Sequence, residues 1–300
     1  MSQQLNALLT ALYVFIDDQV VPERTGRGRR PRLSDSELVT LAVAQALLGF
    51  SSEHRWIRYA MCHLRSHFPH LPNQPGYNKR LRSADPLIRE AIRALGHDTD
   101  LWFDNHWIVD STPLPCAMSR PTVKRSELAG WAGYGYCASH SRFFWGLRLY
   151  LVCTPAGLPV LWALADPKIE GGEREVLKAM LDHDADLVAD RPGLLLICDK
   201  GFASRSLEAE LALRGITMLR PSRKKEKPRP GEPLLKSMRQ LIESVNDTFK
   251  GQLDLESHGG RTVQGVMARV GQRVLALTAA VWNNHHTGQP ALRSLTAYDH

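Results

Sequence analysis

Nowhere in the 300 residues is there a run approaching the ~18 consecutive apolar residues of a membrane span. No membrane partner is expected. Met1-Ser-Gln-Gln opens without the basic stretch, apolar stretch and cleavage site of a secretory signal, so the reading is a soluble, cytoplasmic protein. Cysteine is sparse: Cys62, Cys116, Cys137, Cys153 and Cys198 make an odd five with no CxxC, which argues against a disulfide framework and a zinc ribbon. Cys62, His63, His67 and His70 sit close together, but no complementary Cys/His pair stands at a distance that suits zinc. The G-x-x-x-x-G-K-[ST] phosphate loop is missing, and Gly171-Gly172 is followed by acids, which disfavours a nucleotide-driven enzyme.

What is present is positive charge. A net charge of +7 favours a polyanionic partner, although charge alone fits a ribosomal or membrane-surface protein equally. Its distribution is more telling. Residues 24–32 hold five arginines (Arg24, Arg27, Arg29, Arg30 and Arg32) among glycines and a proline. Residues 220–229 hold six Lys/Arg, Arg223, Lys224 and Lys225 among them, against the single Glu226. Both segments are loop-like, so both can follow a phosphate backbone. Within the first, Arg-Gly-Arg-Arg-Pro looks like an AT-hook with one extra arginine, the motif that lies in the minor groove of A·T-rich DNA; a solvated linker reads as well.

At 43% hydrophobic the chain can bury a proper core, and its length suits two domains. Apolar residues at helical spacing predict helices over Gln3 to Asp18, Leu38 to Leu48 behind a Ser34–Glu37 capping box, Glu53 to about Phe68, Tyr77 to Arg82 and Pro86 to Leu95. Short helices and tight turns suit a helix-turn-helix-like DNA-binding region over residues 1–100. Tyr77, Asn78, Lys79, Arg80 and Arg82 would be its groove-facing residues, and a plain helical bundle with a basic face is the alternative.

From Trp102 the pattern turns to alternation. Trp107-Ile108-Val109 reads as a short strand that frays at Asp110, because Pro113 and Pro115 cannot continue a ladder. Leu194 to Cys198 repeats the arrangement and ends at Asp199. Between them, residues 116–141 read as a functional loop and Phe143 to Ala165 as a β-hairpin, with Arg148 projecting from a strand. Further on, Met238, Ile242, Val245 and Phe249 form a helical stripe, and at ~100° per residue Arg239, Glu243 and Lys250 fall together beside it. Two strand-end aspartates and a helix-borne glutamate are hard oxygen ligands suited to Mg²⁺ or Mn²⁺. The predicted order, β-β-β-α-β-α-β-α, is that of an RNase H-like domain: a mixed sheet flanked by helices, placed over residues 101–286, with 287–300 as a tail.

At these residues the chain resembles the DDE transposases of bacterial insertion sequences. The resemblance rests on Val-Asp110-Ser-Thr-Pro-Leu, on Phe-Phe-Trp-Gly-Leu-Arg-Leu-Tyr followed by Thr-Pro-Ala-Gly-Leu-Pro-Val, on Cys-Asp199-Lys-Gly-Phe and on the glutamate helix. Family members carry arginine four positions before the catalytic glutamate and lysine seven after it, and Arg239 and Lys250 fit that register. The tyrosine often found three before the arginine is Lys236 here. The resemblance implies that Asp110, Asp199 and Glu243, with Glu256 the rival for the third place, bind two divalent ions. It also implies that Arg239, Lys250, Lys200 and Arg148 hold phosphates. The expected partners are double-stranded DNA, as terminal repeats and target, and a second protomer, since two ends must be brought together. A nuclease or resolvase without strand transfer, or a decayed DNA-binding repressor, would share many of these residues.

Overall fold

The computed structural model describes residues 2–23, 28–137, 141–224, 226–291 and 295–298, and the chain divides into one unit of residues 1–98 with 248–300 and another of residues 99–247. The first unit begins with helices whose ends follow from their caps. In α1 (Gln3–Gln19) the Ser2 hydroxyl accepts from the Leu5 amide, and Leu5, Leu8, Leu9, Leu12 and Ile16 are buried. α2 (Asp35–Leu47) opens on a complete capping box, the Ser34 amide donating to Glu37 Oε2 at 2.6 Å and the Glu37 amide to Ser34 Oγ at 3.0 Å. α3 (Glu53–His63) stops five residues short of the expected Phe68, and α4 (Gln74–Ser83) starts three earlier than Tyr77 because Asn73 caps the Gly76 amide. α5 (Asp85–His97) follows at once.

The second unit is built on a six-stranded mixed sheet that curls because one long strand serves several partners. β1 (His106–Ala117) does not fray at Asp110 but continues through both prolines. Its parallel neighbour β5 (Leu195–Ile197) pairs with it only as far as Ile108, whereas β3 (Arg142–Cys153) pairs with it antiparallel to Ala117. Residues 111, 113 and 115 share one strand edge, the one β5 has left; the Ser111 amide there turns to Asp110 Oδ1, and the prolines have no amide to satisfy. The region read as a functional loop contains the short helix α6 (Arg120–Arg125) and the strand β2 (Gly133–Cys137), which pairs with β3. Alternating glycines and tyrosines hide that strand in the sequence. β4 (Pro159–Ala165) pairs with the other stretch of the same β3 edge. Then come α7 (Glu173–His183), α8 (Ala185–Ala189), α9 (Arg205–Leu213), β6 (Thr217–Leu219) beside β5, and α10 (Leu235–Asp247).

From residue 248 on, the chain clusters with the N-terminal helices. The cause is α11 (Val263–His286), which is buried along most of its length, Ala268 to Trp282 included, and packs on α1, α2, α4 and α5. A helix buried on every side belongs in a core. It carries Arg269, Gln272 and Arg273, and among the described residues no helix is long and apolar enough to cross a membrane.

Candidate active site

Ile108 of β1 pairs with Ile197 of β5, and each strand carries an aspartate two residues further on. Asp110 and Asp199 therefore emerge side by side. Buried Trp107-Ile108-Val109 and Leu196-Ile197-Cys198 hold that register, since a slip of one residue would turn each run to the wrong face. α10 supplies the third acid. Its residues Ile242 and Val245 are buried, and Glu243 lines one narrow cleft with Asp110, Asp199 and Arg239, walled by Ile108, Ile197 and Ile242.

Asp110 is held at both oxygens: Oδ1 accepts from the Ser111 amide and Oδ2 from Asn246 Nδ2, each at 2.8 Å. Burial pushes its carboxyl up to about 6; the Ser111 amide opposes this, nearby Asp199 and Glu173 add to it, and Arg239 lowers it. Arg239 also bridges the other two acids, with Nη1 3.4 Å from Asp199 Oδ1 and Nη2 3.9 Å from Glu243 Oε1. These acids are 43% and 58% exposed, so the pairs add little stability and serve to orient the cleft.

Two residues of the site carry no signal in the sequence. Asn246, three positions after Glu243 on the same helical face, is buried, and its Oδ1 has no hydrogen-bond partner. Glu173 accepts from Ser111 Oγ at 2.7 Å through Oε1, which lies 3.6 Å from Arg148 Nη2. Glycine makes room for it: Gly172, at φ +67°, opens α7 immediately before Glu173, and a Cβ on Gly201 would fall 2.5 Å from Glu173 Oε2. Taken as sequence, the Gly-Gly-Glu run speaks only against a phosphate loop.

Three carboxylates and the unsatisfied Asn246 oxygen are the hard donors that Mg²⁺ and Mn²⁺ take, so the donor chemistry fits such ions. Among the described residues no three His, Cys, Asp or Glu side chains already converge as an ion-holding group. Lys250 lies in a π-type turn, Thr248–Gln252, assigned to the other unit, as is Glu256.

Several residues expected to meet DNA are engaged within the protein. Tyr77 is fully buried, its hydroxyl donating to Gln45 Oε1 at 2.8 Å, and the half-buried Asn78 donates through Nδ2 to both Glu53 oxygens at 2.8 and 2.9 Å. Arg80 instead ties the start of α2, donating to Leu33 O at 2.6 Å and pairing with Asp35 at 2.5 Å. Arg148 is partly buried against Ser111 O and Glu173. Part of the segment 220–229 is tied down within the protein. Arg220 is buried and pairs with Glu208 and Glu226, Arg229 pairs with Glu208, and Arg223 donates to Ala203 O. The Arg220 guanidinium holds the Glu226 carboxyl at about 2. Lys79, Lys200 and Lys224, with Arg29, Arg30 and Arg32, are exposed, and Arg82 is half-buried; Arg27 and Lys225 lie outside the described residues.

Set against models of known families, residues 103–263 match one described as "Transposase DDE domain", a stretch that contains Asp110, Asp199 and Glu243. No curated protein matches the chain. Among solved structures it is similar to a piggyBac transposase, seen by cryo-EM as a synaptic complex with hairpin DNA. The TM-score is 0.49 at 9% identity, over 99% of this chain and 76% of that one.

Proposed function

The chain belongs to the family of transposases with a DDE domain, and from that premise we propose that it moves a bacterial insertion sequence. In this reading it binds the terminal repeats, cuts a strand at each end and transfers the 3′-hydroxyls to target DNA. The observation that carries it is the single cleft lined by Asp110, Asp199 and Glu243. A mixed sheet whose neighbouring parallel strands each deliver an aspartate supports an RNase H-like catalytic domain.

Asp110, Asp199 and Glu243 would hold two divalent ions, Mg²⁺ or Mn²⁺, whose charge activates the attacking hydroxyl and stabilises the leaving oxygen. The chain's own residues prepare that site. Asn246 and the Ser111 amide fix both oxygens of Asp110, and the Glu173–Ser111–Arg148 contacts brace β1 just beyond it. Arg239 is placed to turn from the acids to the scissile phosphate and offset its developing charge. Both cleavage and strand transfer are in-line displacements at phosphorus, so one site serves both. Exposed Lys79, Lys200, Lys224, Arg29, Arg30 and Arg32, with half-buried Arg82, support phosphate contacts, those on the N-terminal helices within a helix-turn-helix-like module. Two ends require two sites, and a homodimer acting on DNA in the cytoplasm follows from that task.

The test is a duplex carrying the repeats that flank the gene, incubated with the purified chain and Mg²⁺. We expect nicking at the repeat boundary, joining to target DNA and loss of both with EDTA. Asp199→Ala and Glu243→Ala should each slow nicking by ~100-fold or more. Nicking that survives substitution of all three acids overturns the proposal. Nicking without joining replaces it with a nuclease or resolvase.

A further inference from the structure

Tyr134 and Tyr136 on β2 and Phe143 on β3 are exposed by 47%, 48% and 79%. Tyr134 stands opposite Trp145 and Tyr136 opposite Phe143, so the three rings rise from one face of the sheet. On the other face the intervening Gly135 is packed hard: a Cβ there would meet Phe144 Cζ at 2.6 Å and Pro167 Cβ at 2.7 Å. β2 is thus anchored by its glycines, and its tyrosines are left for another use. The Tyr136 and Phe143 rings are 4.9 Å apart and tilted by 52°, which keeps them from covering each other's faces.

Charge says what covers this ledge. Ala117, the last residue of β1, is in the row of Trp145 and Tyr134, and α6 follows it with Arg120, Lys124 and Arg125 exposed. Across residues 118–142 there are four Lys/Arg and one acid, Glu127. Exposed rings with a positive rim are the composition that stacks the bases of a single nucleic-acid strand while holding its phosphates. The ledge also faces the same way as the acid site. Asp110 is opposite Leu151, and residues 151, 149, 147, 145 and 143 of β3 alternate to that side. Eight residues of strand span ~27 Å, and Leu151, Leu149, Leu147 and Trp145 between them are buried, so the ledge is a separate exposed patch at the far end of the strand.

We infer that Tyr134, Tyr136 and Phe143 form a stacking platform for unpaired bases of the DNA strand, at the end of β3 remote from Asp110. This rests on the transposase reading. The experiment compares labelled oligo(dT) with a duplex of equal length, at one salt concentration, by fluorescence anisotropy. The wild type should bind both. The triple variant Tyr134→Ala, Tyr136→Ala, Phe143→Ala should lose oligo(dT) affinity by ten-fold or more, with duplex affinity changed less than two-fold and melting temperature kept. Tyr134→Phe with Tyr136→Phe should bind oligo(dT) as the wild type does, since stacking needs the ring and not the hydroxyl. Unchanged oligo(dT) binding in the triple variant overturns the inference. So does an equal loss for both DNAs, or a change in sedimentation alone, which would mark the face as a contact between copies. Wild type that binds duplex but not oligo(dT) overturns the platform by itself; wild type that binds neither takes the transposase reading down as well.

Discussion

Asp110→Asn is expected to remove strand cleavage, by about a thousand-fold or more, and at the same time to raise the melting temperature of the metal-free protein at pH 8. The loss of activity follows from the loss of a charged oxygen in a cleft lined by Asp110, Asp199 and Glu243. The gain in stability follows from the pKa. Burial holds the Asp110 carboxyl at about 6, above its ordinary 3.8, so the folded protein binds a proton there that the unfolded chain releases earlier. A group raised in this way contributes stability below pH ~4 and loses it as pH climbs through about 6. Substitution by an uncharged amide avoids that loss. The advantage of the variant should therefore be absent at pH 4, grow between pH 4 and 6 and stay level above 7. A carboxyl raised that far sets an upper limit of about 3 kcal/mol; solvent reaches this half-buried group, so ~1–2 kcal/mol is the fair expectation, or several degrees. The new amide needs an acceptor where Asp110 Oδ2 had been, and Asn246 supplies one by turning over, since its own Oδ1 is unsatisfied. Melting curves at pH 4, 6 and 8 in the presence of a chelator read this directly. A variant that is less stable at pH 8, or equally stabilised at every pH, would show that Asp110 is not strained by its charge.

How much of this site is legible in the sequence depends on whether a signal is local. Apolar runs ending in Asp110 and Asp199 announce strands, and the phase of Ile242, Val245 and Glu243 announces a helix edge, because each is a pattern within a few residues. The register Ile108 to Ile197 is invisible there: it is a pairing between segments 89 positions apart. The continuation of β1 past Pro113 is hidden for the same reason, since a proline ends a strand only if its missing amide faces a partner, and here it faces an edge that β5 has already left. Glu173 and Asn246 carry no motif. They matter only because the fold sets them against Ser111 and Asp110. Asn78, Arg80 and Arg220 have partners that the sequence does not announce. Their residue types suit DNA, but each has a carboxylate from a different segment at 2.5–2.8 Å, and composition does not reveal which acid will arrive. Tyr134 and Tyr136 lie in a segment that reads as a loop, because glycine at every second position masks a strand.

Glu53→Ala should cost the helical unit about 3–5 kcal/mol, far more than its place at the first position of α3 would suggest. Glu53 and Arg269 are each 6% exposed and meet at 2.5 Å, and the same carboxylate accepts from Asn78 and Gln74. Arg269 in turn reaches Gln272, whose amide bonds Ala42 O at 2.6 Å and Gln45 at 3.2 Å, and Gln45 holds the buried Tyr77 hydroxyl. Through this chain of contacts one acid fastens α2, α3, α4 and α11. Removing it leaves a guanidinium buried without its counter-charge and two amide groups without an acceptor, and each unmet group adds its own desolvation penalty. The decisive comparison is with the pair. Replacing both Glu53 and Arg269 by leucine and methionine of similar volume removes the stranded charge together with its partner, so the double variant should recover at least half of what Glu53→Ala loses. Urea unfolding of the wild type, Glu53→Ala, Glu53→Leu, Arg269→Met and the double variant measures this. If the double variant is as unstable as the sum of its single substitutions, the network stabilises through independent contacts and the two residues are not coupled. If it recovers, the ion pair's role is to set which faces of α3, α4 and α11 meet.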